Sequence, residues 1–440
     1  MADVEKNLLD YLQNIAKENG YNHAKIEIEA ISSGGANYTS ALYLATLSEQ
    51  PKQDIKLFVK VANISESFRD ATGGQFTAVY EMERFFYAEI AVAFEKLYTK
   101  HGVPEKNRLY IPKFYGFKSI KMEETLVLEN LAANGFGNFN RFKTFNWDYA
   151  SKSIEELAKF HALGLTYRKE SPEEFEKIQK TAFSFESTEM ENKMKEVFMT
   201  QAIKTGTQLI KEEYKPIMQK YLEKNDLMEQ LSKLWMPLEG GALIHGDYRP
   251  SNLMHRRRNG KIEVVPLDYQ TYRSGLLATD LMYFIFSGSD AQFRKYYYKQ
   301  LLEHYYTELT RALKDLHVDI NDVYPRKVFE HELDEAKHLG IFLGLTMMSL
   351  LTVDPENAPK FEDFDSLVVE PNQHTIDRLN GIAKHLGIFL GLTMMSLLTV
   401  DPENAPKFED FDSLVVEPNQ HTIDRLNGIV GDYIRWGIII

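Results

Sequence analysis

The chain has 440 residues, a net charge of −13 and no cysteine; 44% of its residues are hydrophobic and 26% are charged. This composition is typical of a globular protein, and the length predicts two lobes or two domains. The negative charge argues against nucleic acid and anionic membranes as partners, and the absence of cysteine excludes disulfides, thiolate metal sites and cysteine nucleophiles. No obligate protein partner can be read from the sequence.

Residues 1–24 predict an N-terminal surface helix, because Leu8, Leu12 and Ile15 recur at helical spacing. Acidic residues near the start are unlike a charged and then apolar secretion signal, which indicates a cytoplasmic protein. The longest apolar run, residues 339–353, is too short and too interrupted to cross a bilayer core of about 30 Å. We therefore expect no membrane span.

Hydrophobic periodicity divides the rest of the chain into two lobes. Short alternating segments in residues 25–128 predict a small β-rich N-terminal lobe, interrupted by a helical stretch near residues 76–98. Most of residues 135–440 has the helical period, which predicts a larger helical C-terminal lobe. A hinge is expected at residues 129–134. The predicted class is therefore an α+β fold with two lobes.

An exact tandem duplication lies within the predicted C-terminal lobe, since residues 383–429 repeat residues 336–382 without a change. Solenoid repeats diverge and occur in larger numbers, so a recent exon duplication or an error in the gene model explains the identity better. Removing one 47-residue copy would leave 393 residues. A close-packed core has one place for this helix, so we expect a displaced loop or extra helix between the copies.

The strongest chemical signal is the series His245, Asp247, Asn252 and Asp268. Phosphoryl transfer needs a carboxylate that orients or deprotonates the attacking hydroxyl, and oxygen ligands that hold magnesium against the phosphates. These residue types supply both requirements. Each residue taken singly also fits a turn or a surface position, but their combination favours the catalytic interpretation.

A predicted β-hairpin would bring the two magnesium ligands together. Asn259 and Gly260 form the preferred two-residue hairpin turn, and strand-like segments lie on both sides of it. Counting back from the turn pairs Asn252 with Leu267. Asp268 is the next residue, so its carboxylate and the amide are expected at the same end of the hairpin.

A glycine-containing loop in the N-terminal lobe is a candidate for phosphate binding. Gly34, Gly35 and Asn37 lie between two strand-like segments, where backbone amides can cover phosphate oxygens. An ordinary turn is the alternative interpretation, because glycine pairs commonly form turns.

A buried ion pair is predicted next to this loop. Glu83 falls on the apolar stripe of the helical stretch near residues 76–98, and a buried carboxylate requires a cation. Lys60 lies in the strand predicted at residues 57–61 and is the expected partner. Glu81 is the second choice, and a structural ion pair without function is the alternative.

Two further features have a structural interpretation as well as a functional one. His161 lies on the apolar stripe of a helix, and we interpret it as a hydrogen-bonded core histidine rather than a catalytic one. A cluster of aromatic residues either lines a pocket for a flat substrate or belongs to the core. The cluster comprises Phe136, Phe139, Phe142, Phe145, Trp147 and Tyr149.

These motifs resemble those of the insect ecdysteroid-kinase-like proteins, also called CHK-kinase-like, which are related to choline kinases and aminoglycoside phosphotransferases. The resemblance covers nearly the whole chain and implies a two-lobed protein-kinase-like fold. The segments that carry it are GANYTS at 35–40, LVLE at 126–129, LAKFHA at 157–162, HGDYRPSNLM at 245–254, LDYQ at 267–270 and DLMYF at 280–284.

The resemblance implies a role for each matching residue. Asp247 would be the catalytic base, and Asn252 and Asp268 the magnesium ligands. Lys60 would anchor the α and β phosphates of ATP, with Glu83 as its partner.

Other matching residues would bind the nucleotide or support the site. Glu129 to Leu131 would contact adenine through backbone groups. Asp280 would steady the catalytic loop, to which His245 belongs.

The chain departs from the family pattern at three places. Ala36 replaces a usual glutamate, and Asn130 replaces a frequent aspartate; neither change is expected to abolish transfer. Residues 248–251 resemble the broader phosphotransferase form more than the common insect form, which bears on the acceptor pocket. The family's C-terminal tail resembles one repeat copy followed by residues 430–440.

The sequence therefore predicts a phosphotransferase that uses ATP and Mg²⁺ to phosphorylate a hydroxyl of a small molecule, with an ecdysteroid or a related lipophilic alcohol or xenobiotic as the expected substrate. The alternative is a catalytically silent protein of the same fold that binds nucleotides or small ligands, disabled by the duplicated segment. A protein kinase is a third option, but only eleven residues separate Asp268 from Asp280, which leaves little room for a peptide-docking segment.

Overall fold

The computed structural model of the chain describes a set of residue ranges, and the following account concerns these residues alone. They are 2–31, 40–63, 75–140, 142–181, 200, 202–225, 227, 229–230, 234, 238, 240–348 and 419–439. The predicted phosphate-binding residues Gly34, Gly35 and Asn37 lie outside them. So do residues 349–418, which include most of both repeat copies and the displaced segment predicted between them.

An antiparallel sheet with one helix packed on it forms the first part of the chain. Among the described residues its strands lie side by side in the order Lys25–Ile31, Ser40–Ser48, Ile55–Ala62, Thr125–Glu129 and Phe114–Lys118. The helix buries Leu8, Leu12 and Ile15 against Leu57 and Val59 of the sheet, as the helical spacing predicts. These elements are α1 (Ala2–Glu18), β1 (Lys25–Ile31), β2 (Ser40–Ser48), β3 (Ile55–Ala62), β4 (Phe114–Lys118) and β5 (Thr125–Glu129).

The helical stretch between β3 and β4 is interrupted by a π turn. Helix α2 (Gln75–Phe85) continues through a π-helical turn at Phe86–Ile90 into α3 (Ala91–Lys100). A π turn inserts one extra residue per turn, so it shifts the face that the helix presents to its neighbours. Phe86 in this turn stacks on Tyr269 at 3.6 Å between ring centroids. The stacking fixes α2 beside the segment that contains Asp268.

The chain leaves the sheet through a short hinge. A 3-10 helix at Leu131–Asn134 follows directly after β5. The side chain of Asn130 caps this helix by accepting a hydrogen bond from the backbone N–H of Ala133 at 3.2 Å. Gly135 ends it in the left-handed conformation, with a φ of 82°.

The remainder of the chain is mostly helical, with short strands near the hinge. The strands are β6 (Gly137–Asn138), β7 (Ala242–Ile244), β8 (Leu253–Arg258), β9 (Lys261–Pro266) and β10 (Arg273–Gly275). The helices are α4 (Trp147–Glu170), α5 (Pro172–Thr181), α6 (Lys215–Lys224), α7 (Leu277–Gly288), α8 (Ala291–Asp315), α9 (Ile320–Val323), α10 (Arg326–Glu335), α11 (Leu339–Phe342) and α12 (Gln420–Arg435).

Helix α7 forms the centre of this helical part. It is buried along its whole length, as its almost uninterrupted apolar sequence requires. Helices α4 and α8 also pack against each other. Phe145 and Tyr149 from the aromatic cluster are buried in this core, at 1% and 3% exposure, whereas Phe139 is half-buried. The cluster thus divides between the core and half-buried positions at its edge.

The core combines the start of the first repeat copy with the end of the second. Helix α11 and the π turn Leu343–Met347 belong to the first copy and are buried. The N-cap Asn419 and the first ten residues of α12 belong to the second copy, and the last six residues of the helix lie beyond it. The hydroxyl of Tyr433, in this unique part, donates a hydrogen bond to the carbonyl of Lys337 in the first copy.

Sequence outside the repeats explains this choice, since the two copies are identical. Asp432, which follows the second copy, forms a fully buried ion pair with Arg294 at 2.6 Å. Glu332, which precedes the first copy, accepts hydrogen bonds from Tyr324 Oη at 2.7 Å and from the N–H of Ala278 at 3.1 Å. These buried partners hold the flanks in place. The segment before the repeat leads into the first copy, and the helix at the end of the second copy continues beyond it.

No helix among the described residues is both long enough and apolar enough to span a membrane.

Candidate active site

Lys60 connects the sheet, helix α2 and the segment after β9. Its Nζ lies 2.9 Å from Glu83 Oε2 and 2.9 Å from Asp268 Oδ1. The Lys60 and Glu83 side chains are 8% and 4% exposed, whereas the Asp268 side chain is 32% exposed. The ion pair predicted from periodicity is therefore present, and it has a second carboxylate that the periodicity did not reveal. Glu81, the second choice, pairs with Arg84 at 2.7 Å instead.

One ammonium group is shared by two carboxylates in this cluster. Burial alone would lower the pKa of Lys60, but the negative charges of Asp268 and Glu83 outweigh it and hold the pKa above its usual value. Burial would likewise raise the pKa of Asp268, and the Lys60 ammonium overcomes this effect and lowers it. Both groups are therefore charged at neutral pH. A cation bound at Asp268 could replace the Lys60 ammonium as the positive charge next to this carboxylate.

Gln270 supports the same cluster from the other side. Its Nε2 donates a hydrogen bond to Glu83 Oε2 at 3.0 Å. The carboxylate of Glu83 is thus held between Lys60 and an amide two residues after Asp268. This contact couples the orientation of helix α2 to the segment that carries the predicted magnesium ligand.

Asp247, the predicted base, is surrounded by hydrogen-bond donors. Arg249 Nε lies 3.0 Å from both of its carboxylate oxygens, and Asn252 Nδ2 lies 2.8 Å from Oδ2. The hydroxyl of Tyr283 also bonds to this carboxylate; its pKa is raised because it is buried and faces the negative charge. Only 6% of Asp247 is exposed. These donors fix the carboxylate in one orientation.

Asp280 anchors the loop in which Asp247 lies. Its carboxylate accepts the backbone N–H of His245 at 2.6 Å and the backbone N–H of Gly246 at 2.9 Å. Burial would raise the pKa of Asp280, but the hydrogen bonds with the side chain of His161 and the backbone N–H of His245 lower it. The side chain of His245 makes a second anchor through Nε2, 3.0 Å from the carbonyl of Leu267. These contacts hold the loop, and the supporting roles of His245 and Asp280 in catalysis stay predictions.

His161 completes this network from helix α4. It is fully buried, with Nδ1 2.7 Å from Tyr305 Oη and Nε2 3.1 Å from Asp280 Oδ2. Its ring therefore uses both nitrogens inside the core. The interpretation of His161 as a hydrogen-bonded core histidine is confirmed.

Two residues of the site have left-handed backbone conformations. Gly246 has a φ of 83°, and Asp268 has a φ of 64°, which is unusual for a residue with a side chain. A Cβ at position 246 would lie 2.2 Å from the carbonyl oxygen of Thr271, so only glycine fits there. Strain of the kind found at Asp268 persists where surrounding contacts enforce it, and such positions cluster in functional sites.

The predicted hairpin brings Asn252 next to Asp268. Asn259 and Gly260 both have positive φ, at 52° and 77°, as a type I′ turn requires. The N–H of Leu267 donates to the carbonyl of Asn252 at 2.9 Å, which is the register counted from the sequence.

These residues fit a magnesium site completed by phosphates. Both hydrogen bonds from Asn252 Nδ2 go to Asp247, so Oδ1 is the side-chain atom left to ligate a cation. Asp268 offers a partly exposed carboxylate. Among the described residues no group of three or more His, Asp or Glu side chains could hold a metal ion. A magnesium ion held mainly by substrate phosphates and water needs only one or two carboxylate ligands.

At the predicted hinge, two of the three backbone N–H groups of residues 129–131 donate hydrogen bonds within the fold. The N–H groups of Glu129 and Asn130 donate to the carbonyls of Lys113 at 2.9 Å and Lys56 at 3.1 Å. Leu131 is the first residue of the 3-10 helix, where the first N–H groups have no partner inside the helix. Adenine contacts through Glu129 and Leu131 stay predictions.

The model of the ecdysteroid kinase-like family matches residues 34–318, which is more than half of the chain. The chain belongs to the ecdysteroid kinase-like family. A search of the curated proteins found no match. Because this family has a kinase-like fold, membership confirms the predicted α+β fold with a small sheet and a larger helical part. The matched range contains every predicted site residue.

In this ecdysteroid kinase-like protein a cleft opens beside Asp247. It is shallow, with a volume of about 10 Å³, which is room for about one water molecule. The residues that line it include Phe139, Lys143, Arg249, Pro250, Ser251 and Ser287. Arg249 thus contacts the predicted base and also lines this surface.

Sequence reasoning missed three residues of the site: Arg249, Gln270 and Tyr283. Arg249 and Gln270 each lie two residues after a predicted site residue, and Tyr283 lies three residues after Asp280 on helix α7. Such short spacings could have marked them as candidates. Their partners come from side-chain directions that spacing alone does not fix.

Proposed function

We propose that this protein transfers the γ-phosphoryl group of ATP, with Mg²⁺, to a hydroxyl group of a small molecule. An ecdysteroid or a related lipophilic alcohol or xenobiotic is the proposed substrate. Family membership supports a kinase-like phosphotransferase in general. The observation that carries the proposal is the contact of Lys60 with both Glu83 and Asp268, because this pairing is part of the machinery that positions ATP in kinases.

In this proposal Lys60 holds the α and β phosphates while Glu83 and Gln270 keep it in place. Asn252 Oδ1 and the carboxylate of Asp268 hold Mg²⁺. When bound, Mg²⁺ neutralises charge on the phosphate oxygens. The other nucleotide contacts come from the backbone of the hinge and from the glycine-containing loop.

Asp247 orients the acceptor hydroxyl and receives its proton. The new bond joins the acceptor oxygen to the γ-phosphorus as the bond from that phosphorus to the oxygen bridging to the β-phosphate breaks, and ADP leaves. Asn252 and Tyr283 hold the carboxylate in place during transfer. Positioning and charge stabilisation supply most of the catalysis in such reactions, so the fixed orientation of Asp247 is important.

A catalytically silent binding protein is the second candidate. The observation in its favour is that Arg249, Asn252 and Tyr283 all bond to the carboxylate of Asp247, so part of its hydrogen-bond accepting capacity is already used. The duplicated segment is a further possible cause of lost turnover. Loss of a catalytic residue would favour this candidate strongly, but Asp247, Asn252 and Asp268 are all present.

The test is an acceptor screen with the full chain, magnesium and ATP. The panel contains ecdysteroids, sterols, phenolic glycosides and choline, and phosphorylated products are identified by mass spectrometry. We expect a product that gains one phosphoryl group and disappears in Asp247→Asn. Binding of Mg-ATP without any product would support the silent binding protein.

A further inference from the structure

Two histidines that are distant in sequence face each other outside the candidate active site. Nδ1 of His101 lies 3.3 Å from Nδ1 of His317. His101 directly follows helix α3, and His317 lies two residues after the last residue of α8. The two rings therefore meet next to the C-terminal ends of two helices. The partial negative charge of a helix C-terminus favours a cation at such a place.

Glu170, the last residue of α4, orients the ring of His101. Its Oε1 lies 2.9 Å from Nε2 of His101, and its Oε2 lies 2.7 Å from Nζ of Lys100. An ionised carboxylate can only accept hydrogen bonds, so Nε2 of His101 carries the hydrogen in this contact. In the neutral ring Nδ1 then presents its lone pair toward His317. Lys100 is a competing positive charge next to His101, and the same carboxylate pairs with it.

Contacts that do not involve the two rings hold their backbones in place. Nδ2 of Asn107 donates a hydrogen bond to Oδ2 of Asp315 at 3.0 Å, which ties the segment after α3 to the last residue of α8. The backbone of His317 has a left-handed φ of 56°, and its N–H donates to the carbonyl of Lys314 at 3.0 Å. The two segments are therefore ordered before any ligand binds, which lowers the entropy cost of binding.

The distance between the two nitrogen atoms matches a shared metal ion. Zinc binds imidazole nitrogen at about 2.0–2.1 Å in tetrahedral geometry, which places two ligand nitrogens about 3.3–3.4 Å apart and their ring centroids about 5 Å apart. The ring centroids of His101 and His317 are 5.4 Å apart. A direct hydrogen bond between the rings is the alternative, and 3.3 Å is long for one.

We propose that His101 and His317 together bind a zinc ion through their Nδ1 atoms. Histidines that ligate a metal commonly donate the other ring N–H to a carboxylate, and His101 has this contact with Glu170. Among the described residues no third His, Asp or Glu side chain completes a metal-binding cluster with them, so water fills the remaining positions.

The ion would join the end of α3 to the end of α8. Helix α3 continues from α2, which carries Glu83, so the bridge fixes one end of the helical stretch that holds the partner of Lys60. Imidazole is a poor ligand for magnesium, so this site is distinct from the predicted magnesium site. The inference does not depend on phosphoryl transfer.

Titration of the full chain with zinc chloride tests the site. Calorimetry is performed without nucleotide and with excess magnesium, which occupies sites made of oxygen ligands. We expect zinc to bind the parent with a micromolar dissociation constant, weaker than a structural site with four protein ligands. Zinc should also raise the melting temperature, because an ion that binds only the folded chain stabilises it.

His317→Asn removes one ligand and introduces a residue that tolerates the left-handed backbone. His23→Asn is the matched control, because His23 also lies in a turn and is exposed. His317→Asn should weaken zinc binding by about tenfold or more and abolish the rise in melting temperature. His23→Asn should behave like the parent.

Glu170→Gln tests the positioning of His101. The variant keeps both nitrogen ligands and the size of the side chain but loses the carboxylate. Zinc affinity should fall by about tenfold, as for other residues that orient a ligating histidine. Glu173→Gln makes the same change at an exposed position on α5 and should leave zinc affinity unchanged.

The comparison of the parent with His317→Asn decides the outcome. A lower zinc affinity in this variant, with unchanged affinity in His23→Asn, would support the site whether or not the protein transfers phosphate. Equal zinc affinity in the parent and His317→Asn, or no zinc binding by the parent at millimolar concentration, would overturn the inference and leave the two rings as an ordinary hydrogen-bonded pair.

Discussion

Replacing Gly246 with alanine is expected to destabilise the loop that carries Asp247. The residue has a φ of 83°, and a Cβ there would lie 2.2 Å from the carbonyl oxygen of Thr271 and 2.4 Å from Arg273 Nη1. The left-handed conformation costs a residue with a side chain about 1–2 kcal/mol. Relief of the contact with buried backbone adds roughly 1–3 kcal/mol, so the expected loss is about 2–5 kcal/mol.

Gly260→Ala is the matched control. Gly260 also has a positive φ, of 77°, but no atom lies within 4 Å of the position its Cβ would take. It should therefore lose only the conformational part, about 1–2 kcal/mol. The free energy of unfolding is measured with denaturant for both variants and the parent. Equal losses in the two variants would refute the steric reasoning, and a smaller loss in Gly246→Ala would refute it more strongly.

Three further predictions concern the ion-pair cluster, the buried histidine and the repeat. Glu83→Gln should weaken Mg-ATP binding measured by calorimetry, because Lys60 loses the negative charge that positions its ammonium group. Glu81→Gln should leave Mg-ATP binding unchanged. Equal affinities of the two variants would contradict the assignment. Burial lowers the pKa of His161 below 6.5. As the pH falls below 6.5, the imidazole therefore takes up a proton in the unfolded chain before it does so in the folded one. The free energy of unfolding should decrease by up to about 1.4 kcal/mol per pH unit. Denaturant unfolding should show that this slope is lost in His161→Gln. Deleting residues 349–395 keeps every described residue and shortens the connection between Met348 and Asn419 from 70 to 23 residues. If loop-closure entropy governs this connection, the free energy of unfolding should rise by about 1 kcal/mol. A lower melting temperature would contradict this prediction.

Local sequence rules predicted the parts of the site that depend on short distances along the chain. The turn at Asn259 and Gly260 fixed the register of the hairpin, and that register placed Asn252 beside the segment that leads into Asp268. The helical period placed Glu83 on the buried face of α2, where a cation was required. In each case a local periodicity or turn preference determines the geometry, so one sequence is sufficient.

Contacts between distant segments were not predictable in the same way. Lys60 and Asp268 are 208 residues apart in sequence, and no local pattern indicates that their side chains meet. Strand β4 lacked a signal because all five of its residues are half-buried, so the usual alternation is absent. The two-point contact of Arg249 with Asp247 depends on side-chain direction within a loop, where periodicity does not apply.

The duplicated segment posed a different difficulty. Identical copies contain no information about which one enters the core. Buried partners outside the repeats, such as the ion pair between Arg294 and Asp432, determine which part of each copy enters the core. The start of the first copy and the end of the second enter the core because each continues into a unique flanking segment that is itself buried.

The most direct test of phosphoryl transfer is the passage of label from γ-labelled ATP into an acceptor. The full chain is compared with Asp247→Asn and with Asp148→Asn, which makes the same chemical change at an exposed position. We expect labelled acceptor from the parent and from Asp148→Asn, and a rate lower by about 10² or more in Asp247→Asn. Equal rates in all three proteins, or no labelled acceptor from a parent that binds Mg-ATP, would contradict the proposed function.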